Sequence, residues 1–498
     1  MLRLIETLGN RLPHPVLLFL LLALMVVGAS VLASLAGLSG VHPATGEELR
    51  AINLLSAETV RRMLVEMPRT FTGFPPLGTV LTVMIGIGIA ERSGLIAAAL
   101  GGFVRSVPQP LLALALVFAG IMSSLAADAG YVVLVPLGAA LFAAAGRHPL
   151  AGLAAAFAGV SGGYSANLLV TSLDPLLGGI SETAARMVDP AYTVQATANW
   201  FLMIALVPAF ALAGAFVTVR IVEPRLGTWQ APEGLELMAT GALSAAERRG
   251  LRQVGLASLL LVACFAALAA PDNAVLRNPE TGGLEPFYNA IVALTAIGLA
   301  LLGILYGRAT GRIRTGADAV KMAEDAMASM ASYILLAFMA AHFIAFFAWS
   351  NLGAISAISG AGALRESGLG GVPLLVGVTT LTALINLIMG SASAKWAILS
   401  TVFVPMFMLV GISPEATQAA YRIGDSVTNI ITPLMSYFPL ALVAATRYMP
   451  GMGIGTMIAT MLPFSIAFYM VGIGMLLLFL VFGIPIGPGV MTLLPAQG

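Results

Sequence analysis

The chain has 498 residues, 59% of them hydrophobic and only 9% charged, with a mean hydropathy of +0.97. Soluble domains carry about 25% charged residues, so an ordinary soluble fold is excluded. Long apolar runs without alternation exclude a β-barrel and leave an all-α polytopic membrane protein. A net charge of +1 gives no footprint for nucleic acid. The single cysteine, Cys264, excludes an intramolecular disulfide, and the four scattered histidines make no HExxH-type metal motif.

In chain order, residues 1–72 carry a first apolar run, 16–38, longer than the roughly 7–15 residues of a signal-peptide core, and it reads as a retained helix. Residues 41–70 are polar and 52–67 amphipathic, which predicts an external loop with an interfacial helix. A second span covers about 74–100, with Glu91 and Arg92 near its inner end.

Residues 109–146 are different. Two apolar arms, 111–122 and 131–145, flank the polar knot SSLAADAG. Each arm is shorter than the ~20 residues needed to cross a bilayer. Arg105 precedes the pair and Arg147-His148 follows it, so both feet lie on the cytoplasmic side and the element reads as a re-entrant hairpin. The competing reading is one long crossing helix with a polar defect. The next span is apolar to Val160 and breaks at SGGYSANLLVTSLDP, a broken helix over 150–178. Asp174-Pro175 closes it, and proline disfavours helix in the residue before it. A further span covers 200–222.

Residues 223–315 link two halves: a polar stretch over 223–252 with Arg225, Arg248, Arg249 and Arg252, spans at 254–270 and 288–306, then a loop with Arg308, Arg312 and Arg314. The two basic loops fall on one side, as the positive-inside rule requires; the four arginines of 41–70 run against it. Residues 316–330 are amphipathic and 331–350 span. A second two-armed element, 372–411, has arms 372–389 and 397–410 around GSASAKW. A second broken helix, 414–446, precedes Arg447, a last span at 457–483 and a tail, 485–498.

Segments 73–222 and 316–484 repeat one order, a span, a hairpin and a broken helix, and an amphipathic piece precedes the span in each case, 52–67 and 316–330. Both hairpins carry Val-Pro in the second arm, Val135-Pro136 and Val404-Pro405, and aligning these places Ser124 on Ser393. Both breaks read Gly-x4-Asn, Gly162 to Asn167 and Gly424 to Asn429. The spans count out in opposite senses, so this is an inverted-topology repeat, a signature of secondary transporters. Broken helices persist in lipid only where they line a cavity or pack in protein. Their N–H ends suit anions and their carbonyl ends suit cations.

Charged residues at membrane depth cost roughly 2.5–3.5 kcal/mol each on insertion scales, which singles out Lys395, Arg422 and Asp425. Arg422 and Asp425, three apart, share a helix face. They read either as a mutual ion pair, or as a carboxylate-binding arginine with an aspartate that orients it or carries a coupling proton. Asp174 has no sequence neighbour to pair with and is either functional or near the outer interface. Trp396 is either an interfacial anchor or a platform for an aromatic ligand, and Lys395 is a candidate for snorkelling. Asn167 and Asn429 read as caps or Na+ ligands. Ser124, Asp128, Gly390, Ser391 and Thr428 complete the candidate Na+ set, with H+ as the alternative coupling ion.

At GSASAKW followed by PEATQAAYRIGDSVTNIITP, and at GVSGGYSANLLVTSLDPLLGG, the chain resembles the AbgT family of p-aminobenzoyl-glutamate transporters. The resemblance covers nearly the whole chain. It implies nine transmembrane helices with two re-entrant hairpins, a homodimer in the bacterial inner membrane, and an elevator-type relation to dicarboxylate transporters. It also implies transport of p-aminobenzoyl-glutamate, or efflux of p-aminobenzoate-like compounds such as sulfonamides, driven by Na+ or H+. The family's functional positions fall on Asp174, Ser393, Trp396, Pro414, Arg422, Asp425 and Pro433. A Na+-coupled dicarboxylate transporter of the same architecture is the alternative. No nucleophile–base pair marks an enzyme, and no GxxxxGK[ST] loop marks an ATPase.

Overall fold

The computed structural model describes residues 15–41, 48–125, 130–229 and 243–494, and these are overwhelmingly helical. Seven helices among them are long and apolar enough to cross a membrane, the longest single α-helix of these being Ile454–Val481.

Helix α1 (Pro15–Leu35) leads to a short antiparallel ribbon, β1 (Ser39–Val41) with β2 (Glu48–Arg50), which the apolar pattern did not signal. Helix α2 (Ala57–Thr72) is the expected amphipathic helix, begun by Ser56, whose hydroxyl accepts from the Thr59 amide. The second span is two helices. α3 (Pro75–Arg92) ends at Ser93, Gly94 turns the chain at φ 83°, and α4 (Leu95–Ser106) leaves in a new direction. A left-handed residue there is natural for glycine and costly for others.

The first two-armed element is α5 (Leu112–Met122) and α6 (Val135–Ala144), the latter entered through a π-turn at Gly130–Leu134. The start of this turn lies close to the end of the first arm: a Cβ on Gly130 would lie 2.0 Å from Ser123 Oγ. Both arms pack on α7 (Pro149–Phe157), which runs into a π-turn at Ala158–Gly162. The helix then breaks and resumes as α8 (Leu173–Ala185), as expected. α9 (Trp200–Val217) follows, then a π-turn and the single turn α10 (Glu223–Leu226).

Helix α11 (Ala245–Ala267) starts earlier than predicted. Ser244 and Glu247 form a reciprocal capping box, so Arg248, Arg249 and Arg252 lie on a helix and not in a loop. α12 (Glu285–Ala309) extends the expected span at both ends, and α13 (Gly316–Ser329) and α14 (Ala331–Trp349) match expectation to within one residue. α15 (Leu352–Glu366) was not anticipated; its three glycines and two serines thin the apolar pattern. The second element comprises α16 (Gly371–Asn386) and α17 (Ala392–Met408). α17 begins earlier than the predicted arm, so Ser393, Lys395 and Trp396 sit on its first turns and the turn itself is residues 387–391. Ser391 supplies the cap that moves the boundary, accepting from the Ala394 amide. The second broken helix is α18 (Pro414–Val427) and α19 (Phe438–Thr446), and α20 (Ile454–Val481) is the last span.

One large core joins the two halves, with α16 on α18 and α5 and α20 on α9, and a second core packs α17 on α8 around Trp396. Phe210 and Phe468 stack in the large core with ring centroids 4.7 Å apart. Residues 485–494 do not hang free. They cross the start of α18, where the Ser413 amide donates to Thr492 O (3.0 Å) and Leu494 N to Gly411 O (2.9 Å).

Candidate functional site

The site is built around α18. All fourteen of its residues are buried, yet Glu415, Gln418, Arg422 and Asp425 form one polar stripe at helical spacing. A buried helix with such a stripe must satisfy it from its neighbours, and the partners come from the broken helix and hairpin around it.

Arg422 Nη1 donates to Asp174 Oδ1 at 2.6 Å, with both side chains essentially inaccessible. The other Asp174 oxygen accepts from the Thr171 amide (2.6 Å) and hydroxyl (2.9 Å). Asp174 thus stands in the first turn of α8, where the helix dipole favours an anion. The Arg422 Nε is buried with no hydrogen-bond partner among the described residues. The guanidinium therefore holds one carboxylate and keeps an unspent donor.

Lys395 Nζ lies 2.6 Å from Asp425 Oδ1 and 3.1 Å from Met389 O, and it also donates to Asn386 Oδ1. Tyr421 donates to the same Asp425 oxygen at 3.2 Å and to Ala392 O at 2.5 Å. Asn386 turns its amide nitrogen to Asp425 O, Thr428 Oγ1 and Asn429 Oδ1.

These contacts decide between the sequence readings. Arg422 and Asp425 are not a mutual pair; each takes a partner from another element, because the partners lie 248 residues away for Arg422 and 30 for Asp425 (425 − 395) and share no local pattern with them. Asp174 is 1% exposed and has a partner from the other half, Arg422. Lys395 does not snorkel, since its ammonium is buried and fully engaged. Trp396 is fully buried, stacked on Tyr421 (4.5 Å), with Nε1 donating to Ser181 Oγ and Leu177 O, so it is no interfacial anchor.

The remaining candidates fall around this centre. Ser393 is half-buried on the first turn of α17. Pro414 opens α18, where a missing N–H costs nothing. Pro433 lies in the break between α18 and α19 with Thr428 and Asn429. Gly390 and Ser391 form the second turn, and a Cβ on Gly390 would come 3.2 Å from Leu434 O in that break. In the first half, Asn167 donates to Ser124 Oγ (2.9 Å) and accepts from the Leu169 amide. Asp128 lies outside the described residues. Thus each turn touches the break that follows it, and the two breaks meet: Ser165 Oγ donates to Arg422 O and Asn429 Nδ2 faces Ser161 O. Thr428 and Asn429 spend oxygens on the Asn386 amide, so in this arrangement they form no cation cage.

Asn386, Tyr421, Gln418, Ser181 and Asn199 were not among the sequence candidates. Gln418 accepts from Ser181 and donates to Asn199. The period-3.6 polar stripe of α18 was the signal for Gln418; Ser181 and Asn199 had none, being ordinary residues until folded against α18.

A family model described as "AbgT putative transporter family" matches residues 1–494. The chain is 38% identical over 488 residues to the p-aminobenzoyl-glutamate transport protein of Escherichia coli K12, covering 98% of this chain and 96% of that protein. It is similar to the solved Alcanivorax borkumensis YdaH transporter, described as having an unusual topology (44% identity, TM-score 0.91, 96% of this chain and 100% of that one). It is equally similar to Neisseria gonorrhoeae MtrF, described as illuminating a class of antimetabolite efflux pumps (44%, TM-score 0.92, 98% and 99%).

Proposed function

The chain belongs to the AbgT family of transporters, and on that premise we propose that it is an ion-gradient-driven secondary transporter of p-aminobenzoyl-glutamate or related aromatic carboxylates and antimetabolites. It works as a multi-pass protein of the bacterial cytoplasmic membrane. The observation that carries this reading is Arg422. A fully buried guanidinium with one carboxylate partner and one idle N–H is prepared to donate to a second carboxylate. The neighbouring Lys395–Asp425 pair keeps the region neutral until an anion arrives.

The seven long apolar helices and the two broken ones together make nine crossings, with two re-entrant hairpins between them. Arg147 pairs with Glu223, and Gly371 lies beside Ile412 and Leu493. These contacts support hairpins whose feet return to one end, inner for the first and outer for the second. In this reading the two halves form an inverted repeat that moves the site across the membrane as an elevator, within a homodimer. Asp174 releases and recaptures Arg422 as substrate and coupling ion, Na+ or H+, exchange.

The test is flux of radiolabelled p-aminobenzoyl-glutamate and p-aminobenzoate in proteoliposomes, under Na+ and pH gradients imposed separately and in both directions. Gradient-dependent movement of either compound is expected. Movement of succinate alone would replace this reading by Na+-coupled dicarboxylate transport, which the burial of Trp396 against Tyr421 permits, since no ligand then needs its ring.

A further inference from the structure

Lys395 has no task in carboxylate binding, yet it is the most completely coordinated charge in the site. Its ammonium has three N–H donors and three oxygen acceptors: the Asp425 carboxylate, the Asn386 side-chain carbonyl and the Met389 main-chain carbonyl. They come from three places, namely α18, the end of α16 and the turn beyond it. Met389 O lies just past the carbonyl end of α16, where the helix dipole favours positive charge. A carboxylate, an amide oxygen and an unwound main-chain carbonyl are the ligands a hard cation takes at such a break.

We infer that the Lys395 ammonium is a tethered cation occupying the cation position of the second half, so that no dissolved Na+ binds at Asp425 during transport. The inference rests on the reading of the chain as an ion-coupled transporter and fixes which half draws its cation from solution. A cation on a short flexible stem has a high effective concentration at its own site and excludes a free competitor. The first half has no such residue. The proline alignment that places Ser124 on Ser393 places Ala126 on Lys395, and alanine carries no charge. The two halves are therefore chemically unequal: one holds its own cation, and the other has no charge at the matching position, near which Ser124 and Asn167 are bonded to each other.

The experiment measures binding of radioactive Na+ and thermal unfolding in Na+ against choline, at constant ionic strength, on purified protein without substrate. Lys395→Ala should bind one more Na+ per chain than the wild type and gain a Na+-specific rise in unfolding temperature. Methylammonium should substitute for Na+ in this variant. Lys395→Ala/Asp425→Asn should lose both gains. A Na+ response in Lys395→Ala equal to that of the wild type overturns the inference. Should Lys395→Ala not fold, the neutral pair Lys395→Met/Asp425→Asn decides: equal Na+ binding to wild type supports the tethered cation, and one Na+ fewer overturns it. Because no substrate enters these measurements, failure here leaves the proposed substrate standing, and failed flux leaves the tethered cation standing.

Discussion

At the scale of residues, two buried ion pairs hold the centre, and their worth is conditional. A buried pair is about as stable as a well-packed apolar pair, but losing one partner costs about 3–5 kcal/mol because the other charge is stranded. Arg422→Met and Asp174→Leu should therefore each lower stability by about that amount, and the double variant should recover most of it. Transport should be abolished in all three. Thermal unfolding in detergent, paired with liposome flux, separates the outcomes; transport by the double variant would remove Arg422 from substrate binding. Trp396 acts as a spacer between α8, α17 and α18. Trp396→Ala should cost about 3–5 kcal/mol, whereas Trp396→Phe should keep the stack on Tyr421 and lose only the bonds to Ser181 and Leu177. If Trp396→Ala leaves unfolding unchanged, its burial carries no energetic weight.

At the scale of elements, close backbone approach is what makes the broken helices possible. A Cβ at Gly424 would stand 2.3 Å from Thr379 O and 2.8 Å from Thr382 Cβ, both on α16. The first half uses the same device, with Gly159 beside Val117 O on α5. Gly424→Ala must push these elements apart, at about 1–3 kcal/mol for overpacking. It should also displace Asn386 from Asp425 and reduce flux well beyond what lost stability explains; full activity in this variant would show that the contact tolerates slack. The hairpin over 109–146 is testable by accessibility. With exposed Cys264 replaced by serine, cysteines at Gln109 and Ala144, both exposed, should react with an impermeant reagent from the same side. Reaction from opposite sides would make the element a crossing helix.

At the scale of the whole molecule, the chain end is a structural member. Residues 485–494 bind the foot of the second hairpin through Gly411 and Ser413, and they also reach the start of α9, where Leu202 N donates to Ile486 O (3.2 Å). Ile486 is completely buried. Ile486→Ala should cost about 2–5 kcal/mol, seen as a lower unfolding midpoint, although it touches none of the site residues. An unchanged midpoint would mean the strap is dispensable. The strap joins parts of the chain from both halves, so its loss should weaken their relation and not the ion pairs themselves.

Much of this protein was legible before folding. Charged residues are expensive in lipid, so Lys395, Arg422 and Asp425 stood out against an apolar background, and glycine–asparagine breaks marked where helices end. Local backbone preference and hydrophobic period are properties of short windows, and they placed most spans to within a few residues. They did not place α15, whose small residues carry little apolar signal, nor the early start of α17, which depends on one serine cap. What only the tertiary structure decided is partnership. Which carboxylate meets Arg422, which meets Lys395, and what the Trp396 ring lies on are all set by contacts between residues remote in sequence. Spacing along one helix made Arg422 and Asp425 look like a pair. Packing against α8 and α17 offered each a nearer opposite charge with the desolvation already met by surrounding hydrogen bonds, and the local pair gave way to two distant ones.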